Sequence, residues 1–280
     1  GQGCMRDDCG APDAARVEAL AAIAARESHA CGVNWVFSPC VAVPHDLRWG
    51  RTYEGFSEDA SIVGELGAAE VRGLQRAGVP VAACLKHWVG DGGTAYGSGT
   101  TLFAFTGAPT RILDQGDCVL DEVALRDRHV AAYLPGLDAG CLTVMASYSS
   151  YGGVKVHRHR RLLTEVLKRE LGFDGIVVSD YNALNQLDGC ASFGDAFAQT
   201  VNAGIDMVMT AGGLIGFAND LAYEAQIEQA IDAVRRALVP AERIDDAVKR
   251  IVRVKLALKL LAPTPSQSPS QSPGGGAEGA

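Results

Sequence analysis

Five short apolar runs, separated by amphipathic helical patterns, restrict this chain to very few folds. The runs are Asn34–Pro39, Val81–Trp88, Cys141–Tyr148, Gly175–Asp180 and Asp206–Met209, each nearly continuous in Val, Ile, Leu, Ala, Cys or Met. A strand with one wet face alternates polar and apolar residues. A run without that alternation belongs to a strand covered on both faces, as in parallel sheets. The spacing between runs predicts the covering helices. Ser57 should cap one that runs to Ala77, with Ile62, Leu66, Ala69 and Leu74 on a single stripe and Gly78 as its stop before Val79-Pro80. Asp121 should open a second, with Val123, Val130 and Leu134 inward. A third covers His159 to Leu171, buries Leu162, Leu163, Val166 and Leu167, and ends at Gly172. A last long helix should start near Glu242 and bury Ile244, Val248, Ile251 and Leu258. Strands alternating with helices imply βαβ units and an α/β fold.

Pro263–Ala280 has almost no apolar side chains and cannot offset the entropy of ordering. The chain is therefore expected to divide into a folded domain over 1–262 and a disordered Pro/Ser/Gly-rich tail over 263–280. Its 280 residues, 48% of them hydrophobic, suffice for one large core. A net charge of −8 and a pI near 5.3 argue against a nucleic-acid partner and suit a neutral substrate such as a sugar. No apolar run approaches the roughly 18 residues that span a bilayer, so no membrane partner is expected, and no charged-then-apolar leader is visible. None of the eight cysteines forms a C-x-x-C pair, which argues against zinc. Cys84 and Cys141 sit inside apolar runs and read as small buried hydrophobes, whereas Cys4 and Cys9 have the spacing to close a short loop.

In parallel α/β folds, reactive groups gather where strands end and loops begin. Four strand ends are conspicuously polar: SPCVAVPHDLRWGRTYEG (38–55), KHWVGDGGT (86–94), MASYSSYGG (145–153) and SDY (179–181). Asp180, directly after a buried run, either points into the bowl at the strand ends or caps the next helix. Lys86 and His87 follow a second run. They either hold sugar hydroxyls and depress a neighbouring carboxylate or form a structural ion pair. Arg48 and Arg51 lie in a segment with Trp49 and Tyr53, aromatic groups that offer flat faces to a sugar ring. The turn Gly90-Asp91-Gly92-Gly93 lacks the lysine and spacing of a phosphate loop.

Together these segments resemble glycoside hydrolase family 3. The resemblance rests on VNWVFSPCVAVPHDLRWGRTYEGFSED (33–59), CLKHWVGDGGT (84–94), DQGD (114–117), TVMASYSSYGGVKVH (143–157), LGFDGIVVSDYNAL (171–184), NAGIDMVM (202–209) and RIDDAVKRIVRVKLALKL (243–260), in the family's order and spacing. It implies a (β/α)8 TIM-barrel-like domain that lacks its first strands. It also implies hydrolysis of terminal β-D-glucosidic bonds by a retaining mechanism. Asp180 would be the catalytic nucleophile. Arg51, Lys86 and His87 would bind the sugar, and Met145 and Tyr148 would wall its pocket. Tyr181, where tryptophan is common, would stack on it. Pro44 and Thr52 stand where plant-type members carry a cysteine pair, which implies that this loop disulfide is absent.

The resemblance implies no metal or organic cofactor, a β-glucoside or β-glucan as ligand, and an extracellular or secretory location. Two features of the family have no counterpart here: an upstream stretch with the first strands and a sugar-gripping aspartate, and a second domain that supplies the acid/base glutamate. A missing domain or partner chain is the expected source of that group, because Glu54 and Asp91 are only weak internal candidates. The alternative is a weakly active or inactive glycan-binding or scaffold remnant.

Overall fold

The computed structural model describes residues 11–99, 112–210 and 222–261, so the Cys4 and Cys9 pair and the 263–280 segment lie outside the described residues. Its named strands are β1 (Cys84–Trp88), β2 (Asp117–Cys118), β3 (Thr143–Ala146), β4 (Ser150–Tyr151), β5 (Val154–Lys155) and β6 (Ile176–Val178). Strands β1, β3 and β6 form one parallel sheet in that order, with Leu85 beside Val144 and Val144 beside Val177. Single parallel bridges extend it on both sides, Trp35 and Cys40 to Ala82 and Lys86, and Val178 to Met207. All five apolar runs thus lie side by side and parallel, in chain order. A doubly wound sheet reverses its order at a switch point, whereas a (β/α) barrel adds strands in sequence. The observed order is that of a barrel arc. A second small sheet joins β2, β4 and β5 in that order, β2–β4 parallel and β4–β5 antiparallel.

The helices are α1 (Ala14–Ala30), α2 (Ala60–Gln75), α3 (Glu122–Leu125), α4 (Leu134–Asp138), α5 (Phe193–Ala203), α6 (Tyr223–Arg235) and α7 (Ala241–Ala257). α2 begins later than its sequence suggests. Asp59, not Ser57, caps it by accepting from the Ser61 amide at 2.8 Å, while Ser57 accepts from the Asp59 amide. Asp121 caps α3 as expected. Of its three expected core residues only Val130 is buried. Val123 and Leu134 are exposed, and Leu125 takes the inward position, because the chain passes from α3 into a π-wound stretch (Arg126–Val130) that resets the phase. Residues Arg161–Glu170 are π-wound as well, yet Leu162, Leu163, Val166 and Leu167 are all buried. In α7 most of the expected face packs inward, Ile244 and Ile251 against core clusters and Leu258 buried, and Val248 alone departs from it. Ala247 and Val254 are buried as well. No described helix is long and apolar enough to cross a membrane.

The main core lies between sheet and helices, where Leu85, Val144 and Val177 meet Val63, Val71, Leu163 and Leu167. Trp88, fully buried, meets Tyr133 edge-on at 5.0 Å, worth about 0.5–1.5 kcal/mol beyond the area it buries. Cys84 and Cys141 are buried and unbridged, as their apolar surroundings suggested. The other face of the strands holds Cys84, Met145 and Val178, packed with Trp35, Met207 and Met209. At the start of β6, the Asp206 carboxylate accepts from the Val177 amide at 2.9 Å and pairs with Lys168 at 2.6 Å and with Arg243. That cluster locks the last strand segment, the helix 161–170 and α7 together.

Candidate active site

The polar strand ends converge. β6 delivers Asp180, whose residue is 7% exposed. Its backbone is held from below: the Asp180 amide donates to His157 Nε2 at 2.9 Å, and the Ser179 hydroxyl accepts from the Met209 amide at 2.7 Å. Burial pushes the His157 imidazolium down to about 3, so this ring is neutral and serves as acceptor. The Asp180 carboxylate accepts from the Tyr181 amide through Oδ1 at 2.7 Å. Its Oδ2 is buried without a hydrogen-bond partner and lies 3.6 Å from His87 Nε2. A buried carboxylate oxygen left in this way costs stability, and such groups concentrate where a ligand completes them.

β1 delivers Lys86 and His87. The turn after it is built by glycines. Gly90 sits at φ 94°, which a side chain rarely adopts. At Gly92 a Cβ would lie 2.3 Å from the Val43 carbonyl oxygen, because the loop after the first strand segment passes directly against it. This tight turn folds Asp91 back beneath His87, so that Asp91 Oδ2 lies 2.9 Å from His87 Nδ1 and Oδ1 accepts from the Gly92 amide at 3.1 Å.

The loop 38–55 delivers Arg51. Its guanidinium donates to both oxygens of Glu54, at 2.6 and 2.9 Å, and approaches His87 Nε2 at 3.0 Å. Lys86 Nζ lies 3.5 Å from Glu54 Oε2. Glu54 therefore clamps the two cations side by side, and the Arg51 hydrogen bonds hold its carboxyl below the usual glutamate range. Trp49, 3% exposed, anchors this loop by donating to Asp114 at 3.2 Å. β3 leads to Tyr148, whose hydroxyl donates to the Tyr181 carbonyl beside Asp180. Lys155 Nζ in turn donates to the Tyr148 carbonyl at 2.7 Å.

Arg51, His87, Asp180, Tyr148 and Tyr181 thus form one contact network, with Lys86 joined through Glu54. Met145, 3% exposed, belongs to the apolar cluster on the same strand face. Arg48 and Tyr53 point elsewhere. Arg48 pairs with Asp46 and lies over the Tyr96 ring at 4.2 Å, and Tyr53 is 82% exposed. One electrostatic expectation is corrected. Burial pushes the Asp180 carboxyl above the usual aspartate range, and the opposing pull of His87, the Tyr181 amide, Arg51 and Tyr148 does not reverse it. Lys86 spends its charge on Glu54 instead.

Sequence reasoning missed His157, the Glu54 clamp and the His87–Asp91 pair. The last had a visible signal, a His-x-x-x-Asp spacing across a glycine turn. The Glu54 clamp had half a signal, the Arg-x-x-Glu spacing to Arg51, while its contact to Lys86 and the His157 contact to Asp180 join segments distant in sequence. Among the described residues no group of three His, Cys, Asp or Glu side chains is arranged to hold a metal.

Comparison with known proteins gives a consistent family. Residues 10–254 match the model of the glycosyl hydrolase family 3 N terminal domain. A lysosomal beta glucosidase of Dictyostelium discoideum is 30% identical over 256 residues, which is 86% of this chain and 28% of the relative. The solved exo-1,3/1,4-beta-glucanase of a Pseudoalteromonas species, as its Q683A mutant, is 35% identical with a TM-score of 0.75, covering 96% of this chain and 39% of that one. A beta-glucosidase from Listeria innocua, in complex with isofagomine, shares the fold at 24% identity and a TM-score of 0.75 over 92% of this chain and 33% of its own. The chain spans about a third of the length of the relatives it matches.

Proposed function

Because the chain belongs to glycosyl hydrolase family 3, we propose that it carries the nucleophile half of a retaining β-glucosidase or exo-β-glucanase site. Asp180 attacks the anomeric carbon and forms a glycosyl-enzyme. Arg51, Lys86 and His87 bind hydroxyls of the reacting sugar. Tyr148 and Met145 shape its pocket, and Tyr181, 40% exposed beside the nucleophile, offers a face for stacking. The observation that carries this reading is the Asp180 carboxylate. It is buried, one oxygen is fixed by a backbone amide, and the other is unpartnered at the end of a barrel strand within 3.6 Å of His87. Burial strips the carboxylate of water, which sharpens a nucleophile that preorganised donors then orient. The names of the relatives, a β-glucosidase and an exo-1,3/1,4-β-glucanase, support a glucose-bearing substrate, and the lysosomal one supports an extracytoplasmic setting.

A retaining glycosidase needs a second carboxyl about 5–5.5 Å from the first to protonate the leaving oxygen. The two internal candidates are poorly suited. Glu54 is held ionised by Arg51, and both oxygens of Asp91 are occupied by His87 and Gly92. On this reading the proton donor lies outside the described residues, with a further domain or a partner chain as its expected source. Loss of general acid catalysis costs about 10²–10⁴-fold, mostly on substrates with poor leaving groups. The test is an activated aryl β-glucoside beside laminaribiose and cellobiose. The 280-residue chain should be slowly glycosylated by the activated substrate, seen as a mass increase of the protein, and should turn the disaccharides over negligibly. Asp180→Ala should abolish the adduct. An adduct that survives Asp180→Ala would remove Asp180 as nucleophile, and efficient disaccharide turnover would place an acid/base within the chain.

A further inference from the structure

His87 is gripped from two sides, and both grips demand the same proton position. On one side its Nδ1 lies 2.9 Å from the Asp91 carboxylate, which can only accept while ionised. On the other side its Nε2 lies 3.0 Å from an Arg51 nitrogen, which can only donate. A ring that donates through Nδ1 and accepts through Nε2 is neutral and carries its proton on Nδ1. We propose that Asp91 is a positioning residue that fixes this Nδ1–H tautomer, so that His87 turns an unprotonated, accepting Nε2 toward Arg51 and the site.

The pair is built for permanence. His87 is 2% exposed and Asp91 7%, so water does not compete for either group. Asp91 is itself fixed by the Gly92 amide, and Gly92 can only be glycine while the Val43 carbonyl lies where its Cβ would be. The turn, the carboxylate and the ring form one rigid assembly, in the way that outer-shell carboxylates orient histidines at metal centres. The consequence rests on the glycosidase reading above. An unprotonated Nε2 accepts from Arg51, or in its place from a sugar hydroxyl, and does not place an N–H against Asp180 Oδ2, 3.6 Å away. The opposite tautomer would hydrogen-bond the nucleophile and blunt it.

The test reads the ring directly. Long-range ¹H–¹⁵N correlation spectra of the 280-residue chain at neutral pH, with His87 assigned through His87→Gln, show which nitrogen carries the proton. The wild type should show Nδ1–H with Nε2 unprotonated. Asp91→Asn should lose the dominance of that form, and Asp91→Glu, which keeps a carboxylate, should retain it. A wild-type ring protonated on Nε2 or on both nitrogens, or an Asp91→Asn ring unchanged from wild type, overturns the proposal. Should Asp91→Asn fail to fold, the wild-type and Asp91→Glu spectra decide it. The same preparations are then exposed to the activated aryl glucoside. The expected spectra without any glycosylation of the wild type would leave the tautomer assignment standing and remove the glycosidase reading alone.

Discussion

Asp180 and Asp206 are both buried, and both serve β6, one after its end and one at its start. Their environments are opposite. Asp206 has no exposed side-chain surface and is saturated, with Lys168, Arg243 and the Val177 amide on its oxygens. Asp180 has one amide, one unpartnered oxygen, and a histidine just beyond hydrogen-bonding distance. A saturated buried carboxylate welds elements together. An unsaturated one at a strand's C-terminal end holds free energy in reserve for a ligand. On the proposed reading, the contrast separates a structural aspartate from the nucleophile without reference to either sequence motif.

The largest expected effect tests this difference through stability. Asp206→Ala leaves Lys168 and Arg243 without their shared partner and should destabilise the chain by about 3–5 kcal/mol in denaturant titration. Asp180→Asn removes a poorly solvated charge and should leave stability unchanged or raise it, while glycosylation disappears. Similar losses in both variants would erase the distinction.

A smaller effect is the pH dependence of that pair. Because burial raises the folded-state carboxyl of Asp180, the folded form holds its proton more tightly than the unfolded chain does. The associated stability is complete below the unfolded value of about 3.9 and is lost as pH rises through the folded value. Asp180→Asn carries no such proton. Its stability advantage over wild type should therefore grow as pH is raised from about 4 toward neutrality and then level off. A difference independent of pH over that range would contradict the assigned cause.

The smallest effect comes from an ion pair of ordinary kind. Arg253 lies 2.8 Å from Asp174 with both side chains more than half exposed. Lysine in place of Arg253, or alanine, should shift stability by less than about 1 kcal/mol, as thermal unfolding can measure. A loss as large as that of Asp206→Ala would mean that burial does not decide the worth of these charges.

Much of this was legible beforehand. All five apolar runs became adjacent parallel segments, because a run without alternation has only one stable use in a chain punctuated by helices. Asp180, His87 and Arg51 fell at strand ends for the same reason. Helix phases were less legible. Val123 faces solvent where the chain passes into a π-wound turn that shifts the apolar stripe, and Val248 is exposed although Ile244, Ile251 and Leu258 of its stripe pack inward. Local pattern cannot register a shift that is set by packing against a neighbour.

The order and parallel pairing of the strands, the residues at their ends and the glycine-built turn under His87 were thus determined by the sequence itself, through periodicity and backbone sterics. Which charges pair was decided only by the tertiary structure. Lys86 is bound to Glu54, Asp91 to His87, and Asp180 is left incomplete. Electrostatic and hydrogen-bond energies depend on distances and burial between segments far apart in the chain, and those exist only once the strands have closed ranks.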